Sequence, residues 1–239
     1  VADFIVPAGE ARHVDGDLRI NATGDIKIEG ELLVDSGVAV TLSAEGDLEV
    51  GAVRPSGQGR APTRGQPTID AVLIGRGASI RANQTWPERT NLCLLTRGVP
   101  GTITITGSIT IEDSKPSVGR ANPGSEGGLV AIGSGYALSV ANNRNIPQPT
   151  SPQNLTINAN IKAGDGGRGG DDLVGLNGGY RGGTGGTGGK IQLLAGTETV
   201  WNLKWGRAAM QDGLEELLVL RAVWFAEQMA LPLLKRGRT

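Results

Sequence analysis

The sequence predicts a mainly β protein: a right-handed parallel β-helix (β-solenoid) with a Gly-rich insertion and a C-terminal α-helix. Composition, a recurring strand phrase and the connections between its copies indicate this fold. Of the 239 residues 39 are Gly, while hydrophobic residues make up 38% and aromatic residues 3%. This composition favours a thin core of Val, Ile and Leu with glycine corners over a wide globular core.

The recurring phrase is a small turn residue followed by alternating apolar and polar residues. Strict alternation over four or five residues is typical of a half-buried β-strand. The copies are GDLRI at 16–20, GDIKIEG at 24–30, GDLEVG at 46–51, TITITG at 102–107, SITI at 108–111 and NLTINANI at 154–161.

The spacing of these copies favours parallel stacking. The strands are too close together for helices between them, and they lack the Asn-Gly hairpin turns of a meander. The phrase at Gly24 returns at Gly46, about one solenoid coil later. Stacked coils pair each strand with copies about 4.8 Å above and below, and several coils are needed to bury the inner face. A globular β-sandwich is the competing fold.

The predicted solenoid covers residues 1–205. Segments rich in Pro, Gly and polar residues at 54–68 and 142–153 are predicted to be loops. Further coils with less regular corners are predicted at 69–81, 92–95 and 128–140.

The Gly-rich tract at 164–189 follows one predicted strand directly and leads directly into another at 190–194. Because both ends are anchored, we expect its segments to lie extended, in a polyproline-II-like form, against each other or against the solenoid wall. A flexible linker is the alternative.

Part of this tract, residues 166–174, fits the calcium-binding nonapeptide GGxGxDxUx of repeats-in-toxin solenoids. Asp171 and Asp172 are therefore candidate metal ligands. The next nine residues supply no Asp at the matching position, and the site needs ligands from two turns. We therefore predict no metal and no cofactor.

No catalytic constellation is recognisable, and the chain is predicted not to be an enzyme. The single His, His13, is expected to be a solvent-facing strand residue. Asp17, Asp25 and Asp47 precede strands, where they either form an acidic ladder or act as ordinary turn residues, and the second interpretation is favoured. A G-x-S-x-G elbow and a phosphate-binding loop are both absent. The lone Cys93 is expected to be buried.

Charge and hydropathy exclude two classes of partner. The net charge is −1, and scattered basic residues lack an aromatic platform, so we predict no nucleic-acid binding. No apolar run reaches the roughly 18 residues of a membrane span. A signal peptide is not visible at the start of the sequence.

The C-terminal segment, residues 206–239, differs in character. Asp212 and Glu215 resemble a capping box, which predicts a helix from about Gly213 to Ala230. Such an apolar helix must be covered on most sides, either by the end of its own solenoid or by another chain. The predicted oligomerisation or docking residues are Leu214, Leu217, Leu218, Leu220, Val223, Trp224, Phe225 and Leu231.

The phrase G-D-[LI]-x-[IV]-x-G with its Gly-rich insertion resembles the single-chain β-helix regions of bacterial surface proteins and of phage spike, fibre and decoration proteins. The resemblance covers residues 4–205 and carries no residue roles. It implies a non-enzymatic structural or attachment subunit of a virion or of an extracellular, cell-surface assembly. The expected partners are copies of itself through the C-terminal helix, another structural protein and a surface glycan. The alternative is a polysaccharide-binding or depolymerising β-helix of the tailspike or pectate-lyase type.

Overall fold

The computed structural model describes residues 1–60, 66–97, 101–116, 123–133, 154–169, 184–193 and 199–200. Within these ranges the protein is mainly β, with parallel strands and no helix. The strands are β1 (Phe4–Val6), β2 (Ala11–Val14), β3 (Leu18–Ala22), β4 (Ile26–Ser36), β5 (Ala39–Ala44), β6 (Leu48–Gly59), β7 (Asp70–Gly75), β8 (Ala78–Ile80), β9 (Gln84–Trp86), β10 (Asn91–Thr96), β11 (Thr102–Ile105), β12 (Ile109–Ile111), β13 (Leu129–Ile132), β14 (Asn154–Ile157), β15 (Ile161–Lys162), β16 (Lys190–Leu193) and β17 (Thr199–Val200).

These strands form two sheets. The six-stranded sheet has the order β16-β13-β10-β7-β5-β3, and the eleven-stranded sheet follows the path β15-β12-β9-β6-β8-β11-β14-β17 with β1, β2 and β4 joined to it through β6. All strand pairs in the described ranges are parallel. Parallel strands require crossover connections, and here each connection leads from one sheet to the other or to a second ladder of the same sheet.

The register follows the recurring sequence phrase. Phe4 lies opposite Ile26, and Ile26 lies opposite Leu48. In β4 the buried Ile26 and Ile28 alternate with the exposed Lys27. The predicted period-two strands at the GD phrases are therefore confirmed, and the phrase at Gly24 does pair with its copy at Gly46.

The main core lies between the inner faces of the two sheets. In the six-stranded sheet, one inner ladder consists of Leu42, Leu73, Leu94 and Ile132 on successive strands. These four side chains are at most 1% exposed. Aliphatic ladders of this kind fill the thin core that the composition predicts, because each apolar residue stacks on its counterpart in the next strand.

Glycine at the corners is explained by close stacking. A methyl group at Gly46 would overlap the carboxylate of Asp25 and the backbone of Gly24 in the preceding copy of the phrase. The Gly-Asp order thus has a steric reason, since the Asp of one copy occupies the space where a side chain of the next glycine would lie.

The predicted loop at 54–68 was placed too close to the N-terminus, because its first residues belong to a strand. β6 continues to Gly59, so the loop prediction for 54–68 is wrong for residues 54–59. Arg54 and Pro55 pair with Leu33 and Val34 of β4, and pairing resumes at Gly59 after a register irregularity. Backbone pairing with a strand already in place outweighs the turn propensity of Pro and Gly here.

The predicted loop at 142–153 and the predicted helix at about 213–230 lie outside the described residues. Among the residues that are described, no helix has the length and apolar character that crossing a bilayer requires.

Candidate functional site

Three aspartates form a ladder at one corner of the fold. The Oδ1 atom of Asp3 accepts the backbone N–H of Asp25 at 2.8 Å, and the Oδ1 atom of Asp25 accepts that of Asp47 at 2.9 Å. Asp47 in turn accepts the N–H of Gly77 at 3.0 Å. The aspartates are therefore stacked in a ladder. Each carboxylate, however, accepts a hydrogen bond from a backbone N–H just before the next strand, which is ordinary turn chemistry for Asp.

Asp17 does not belong to this ladder. Its carboxylate accepts the N–H of Ala39 at 2.8 Å, at a different corner, in front of β5. The shared sequence phrase grouped Asp17 with Asp25 and Asp47, but the phrases at 16–20 and 24–30 enter different sheets.

The same bond recurs later with other side chains. The Oδ1 atom of Asn83 accepts the N–H of Ser108 at 2.9 Å, and that of Asp113 accepts the N–H of Asp165 at 2.7 Å. Although burial raises it, hydrogen bonds from the Lys162 ammonium and the Asp165 N–H hold the pKa of Asp113 below its ordinary value. Polar corner residues therefore connect consecutive strands over much of the described chain.

A second polar cluster joins β2, β4 and β6. The Nε2 atom of His13 lies 2.6 Å from Oδ1 of Asp35, and the hydroxyl of Ser56 donates to the same oxygen. The Asp35 side chain is 9% exposed and that of His13 is 44% exposed. The hydrogen bond from Ser56 and that from His13 lower the pKa of Asp35, against the opposing effect of burial.

This cluster contains the residue types of a hydrolase triad but not its arrangement. In a triad the histidine contacts the nucleophilic hydroxyl, whereas here His13 and Ser56 both bind the central Asp35. The Ser56 hydroxyl thus donates to Asp35 and not to the histidine that acts as the base in a triad. We interpret the cluster as a clasp between three strands.

Sequence reasoning missed this clasp, since it gave His13 no partner. A signal was available: His13 and Asp35 are 22 residues apart, and Asp35 and Ser56 are 21 apart. The first interval equals the 22-residue separation of Asp3 from Asp25 and of Asp25 from Asp47, and the second is one residue shorter.

The glycine tract packs against a second glycine-rich segment, residues 123–128. The N–H groups of Gly124 and Gly127 donate to the carbonyls of Thr184 and Thr187 at 2.7 and 2.8 Å. Bonding at every third residue matches the three-residue turn of a polyproline II helix.

The two described parts of the tract also bond to each other. Gly186 donates to Gly167 and Gly189 donates to Gly164, both at 2.8 Å, and Gly167 donates to Ser125 at 2.8 Å. Residues 164–169 and 184–189 therefore lie against each other as predicted, while residues 170–183 are outside the described ranges.

The sole cysteine is buried, as predicted. Cys93 forms no disulfide, and burial together with the nearby Asp70 raises its pKa to about 12. A thiol with such a pKa is protonated at neutral pH, and the thiolate is the reactive form.

The remaining predicted site residues are not among the described ones. Asp171 and Asp172, the candidate calcium ligands, lie outside them, and so do all the predicted docking residues of the C-terminal segment. In the part of the chain that the structure describes, no three His, Cys, Asp or Glu side chains are grouped so that they could hold a metal ion.

Comparison with protein-family models, with curated proteins and with solved structures found no match.

Proposed function

We propose that residues 1–205 form a right-handed parallel β-solenoid and that the chain is a non-enzymatic structural or attachment subunit of a virion or an extracellular assembly. Right-handed connection is the rule for parallel strands in one sheet. The observation that supports the proposal is that polar corner residues and ion pairs join consecutive parallel strands of the same ladder.

The ion pairs supplement the aspartate ladder along the stack. Arg54 contacts Glu31 at 2.8 Å, and Arg81 contacts Glu49 at 3.1 Å. Each surface pair contributes only about 0–1 kcal/mol, but together with the backbone–carboxylate bonds they act at successive coils. This use of charge suits a rigid spacer or support, which is what an attachment subunit needs.

Self-association is assigned to the helix predicted in residues 206–239. Its apolar residues occupy more than one helical face, and a helix of that kind requires cover from several sides. We propose that copies of this helix pack on each other, with another structural protein as a further partner.

Light scattering on the full chain tests the self-association. We expect a solution mass that is a multiple of the chain mass, and conversion to monomer when Leu220 and Val223 are replaced by Asp. Arg221→Asp is the matched control, since it introduces the same Asp at a polar position of the same predicted helix. A stable monomer for the unaltered chain would contradict the proposal.

A second candidate is glycan binding, because of one feature of the eleven-stranded sheet. Ser79, Thr104 and Thr156 are stacked in register on the face away from the core. Regularly spaced hydroxyls offer hydrogen bonds to a sugar chain. Glycan-array binding that is lost in a Thr104→Ala/Thr156→Ala variant, but not in Thr41→Ala, would favour this function. Release of reducing ends would indicate depolymerisation.

A further inference from the structure

The strands β1, β2 and β3 form one edge of the two sheets. Within the described residues, β1 and β2 pair only with β4, and β3 pairs only with β5. An edge strand offers its backbone N–H and C=O groups to a further strand, and that strand can come from a second copy of the same chain.

The inner face of this edge is apolar and incompletely covered. Phe4 of β1 lies opposite the fully buried Ile26, and Ile20 of β3 lies opposite the fully buried Leu42. Phe4, Leu18 and Ile20 pack against the main core but are only partly buried. Because one more strand stacked on the edge would bury them, apolar contact by itself favours association here.

One charged side chain interrupts the apolar inner face. Arg12 of β2 lies opposite Leu32 of β4, which in turn lies opposite Val53 of β6. Leu32 and Val53 belong to the main core and are 1% and 0% exposed. Arg12 therefore occupies the position of a core residue, but on an edge strand where it is exposed.

The guanidinium of Arg12 covers the end of an apolar ladder. Its Cζ atom lies 5.0 Å from the centroid of the Phe4 ring. A guanidinium at this distance is attracted to the ring, and the aliphatic stem of an arginine can cover apolar surface while the charge stays in water. Arg12 thus shields Phe4 and remains hydrated.

A second copy stacked on the edge would remove that hydration. The guanidinium would be enclosed between two apolar inner faces, and burial of a charge is far more costly than burial of Leu or Val. Where two identical edges meet, the two Arg12 charges would also repel each other. Pro7, directly after β1, has no N–H to offer a further strand.

We infer that Arg12 closes this edge of the fold, so that copies of the chain do not pair through β1, β2 and β3. The side chain acts by its charge at a core position, and the apolar residues around it would otherwise hold a second copy. The inference does not depend on the proposed association through residues 206–239, because it concerns a different surface.

Sedimentation of the full chain tests the inference with Arg12→Leu and Arg12→Val, which copy the matching residues of β4 and β6. We expect both variants to associate beyond the state of the unaltered chain, about tenfold more tightly or better, because no charge is buried on contact. Arg12→Lys should behave like the unaltered chain, since it keeps the charge.

Arg19→Leu is the matched control. Arg19 is exposed on β3 of the same edge, between Leu18 and Ile20, and lies opposite Thr41 instead of a core residue. The same change of charge and side chain at this outer-face position should leave the mass unaltered.

Hydrogen exchange locates the contact. In Arg12→Leu the amides of β1 and β2 should gain protection as concentration rises, while those of β4 and β6 keep theirs, which shows that the variant is folded. Association through residues 206–239 would be common to all variants and would not produce this difference. Unchanged mass in both Arg12→Leu and Arg12→Val, equal association of Arg19→Leu, or protection gained only away from the edge would each overturn the inference.

Discussion

The carboxylate of Asp25 accepts the backbone N–H of Asp47, its counterpart in the next copy of the sequence phrase, at 2.9 Å. Asp25 donates its own N–H to Asp3 at 2.8 Å. Asp25 is thus the turn residue before its own strand, and its carboxylate accepts the backbone N–H of the turn residue before the next paired strand. A substitution in the middle of the ladder therefore affects two consecutive turns.

We expect Asp25→Ala to lower the free energy of unfolding by about 1 kcal/mol, because the N–H of Asp47 loses its acceptor. Asp25→Asn should retain most of the stability, since its amide oxygen still accepts this bond. Urea unfolding followed by circular dichroism measures both effects. Equal losses for Ala and Asn would show that charge, not the hydrogen bond, matters at this corner.

The clasp around Asp35 predicts a pH dependence of stability. The pKa of Asp35 is lowered from 3.8 by Ser56 and His13, so the folded state favours the ionised carboxylate. Its contribution is present above about pH 4 and is lost as the pH falls through the lower folded-state pKa. Asp35→Asn should therefore reduce the fall in the urea midpoint between about pH 4 and pH 2.

The control for this pH series is Asp15→Asn, at an exposed position directly after β2, the strand that carries His13. It should leave the acid dependence of the urea midpoint unchanged. If both variants follow the unaltered chain at all pH values, Asp35 is not linked to stability through its ionisation.

The strands were predictable because period-two alternation directly reflects the two faces of a sheet. Ile26 and Ile28 are buried while Lys27 is exposed, as the sequence of β4 requires. The contact between His13 and Asp35 was not predicted, because it depends on the stacking register and not on any local motif. Once the 22-residue interval is known, their separation becomes informative.

The glycine packing was predictable only in part. The tract at 164–189 was expected to be extended, but its partner at 123–128 was not recognised. Gly124 and Gly127 have the same three-residue spacing as Gly186 and Gly189. A polyproline-II-like segment has no apolar periodicity, so only this glycine spacing can identify it.

A buried polar link supports the packing of the largest core residue. The side chain of Gln84 accepts the indole N–H of Trp86 at 3.0 Å and donates to the carbonyl of Gly51 at 3.1 Å. Gln84→Met should destabilise the protein by about 1–3 kcal/mol, because both partners stay buried without this bond. Urea unfolding monitored by circular dichroism measures the loss. The exposed Gln58→Met should be close to neutral, and equal stability of both variants would contradict the link.

The glycine segments give the sharpest steric prediction. A methyl group at Gly124 would overlap the carbonyl oxygen of Gly167 and the backbone nitrogen of Gly186, and neither backbone atom moves without disrupting the packing. Gly124→Ala should therefore cost about 1–3 kcal/mol, as overpacking does.

Gly16→Ala is the matched control for Gly124→Ala, because a methyl group at Gly16 meets no atom within 4 Å. It should be neutral or slightly stabilising, since alanine restricts the unfolded chain. Hydrogen exchange locates the damage: in Gly124→Ala the amides of Gly127 and Gly189 should lose protection, while those of β4 and β6 keep theirs. If Gly124→Ala is as stable as Gly16→Ala and its amides stay protected, the close packing of these segments is wrong.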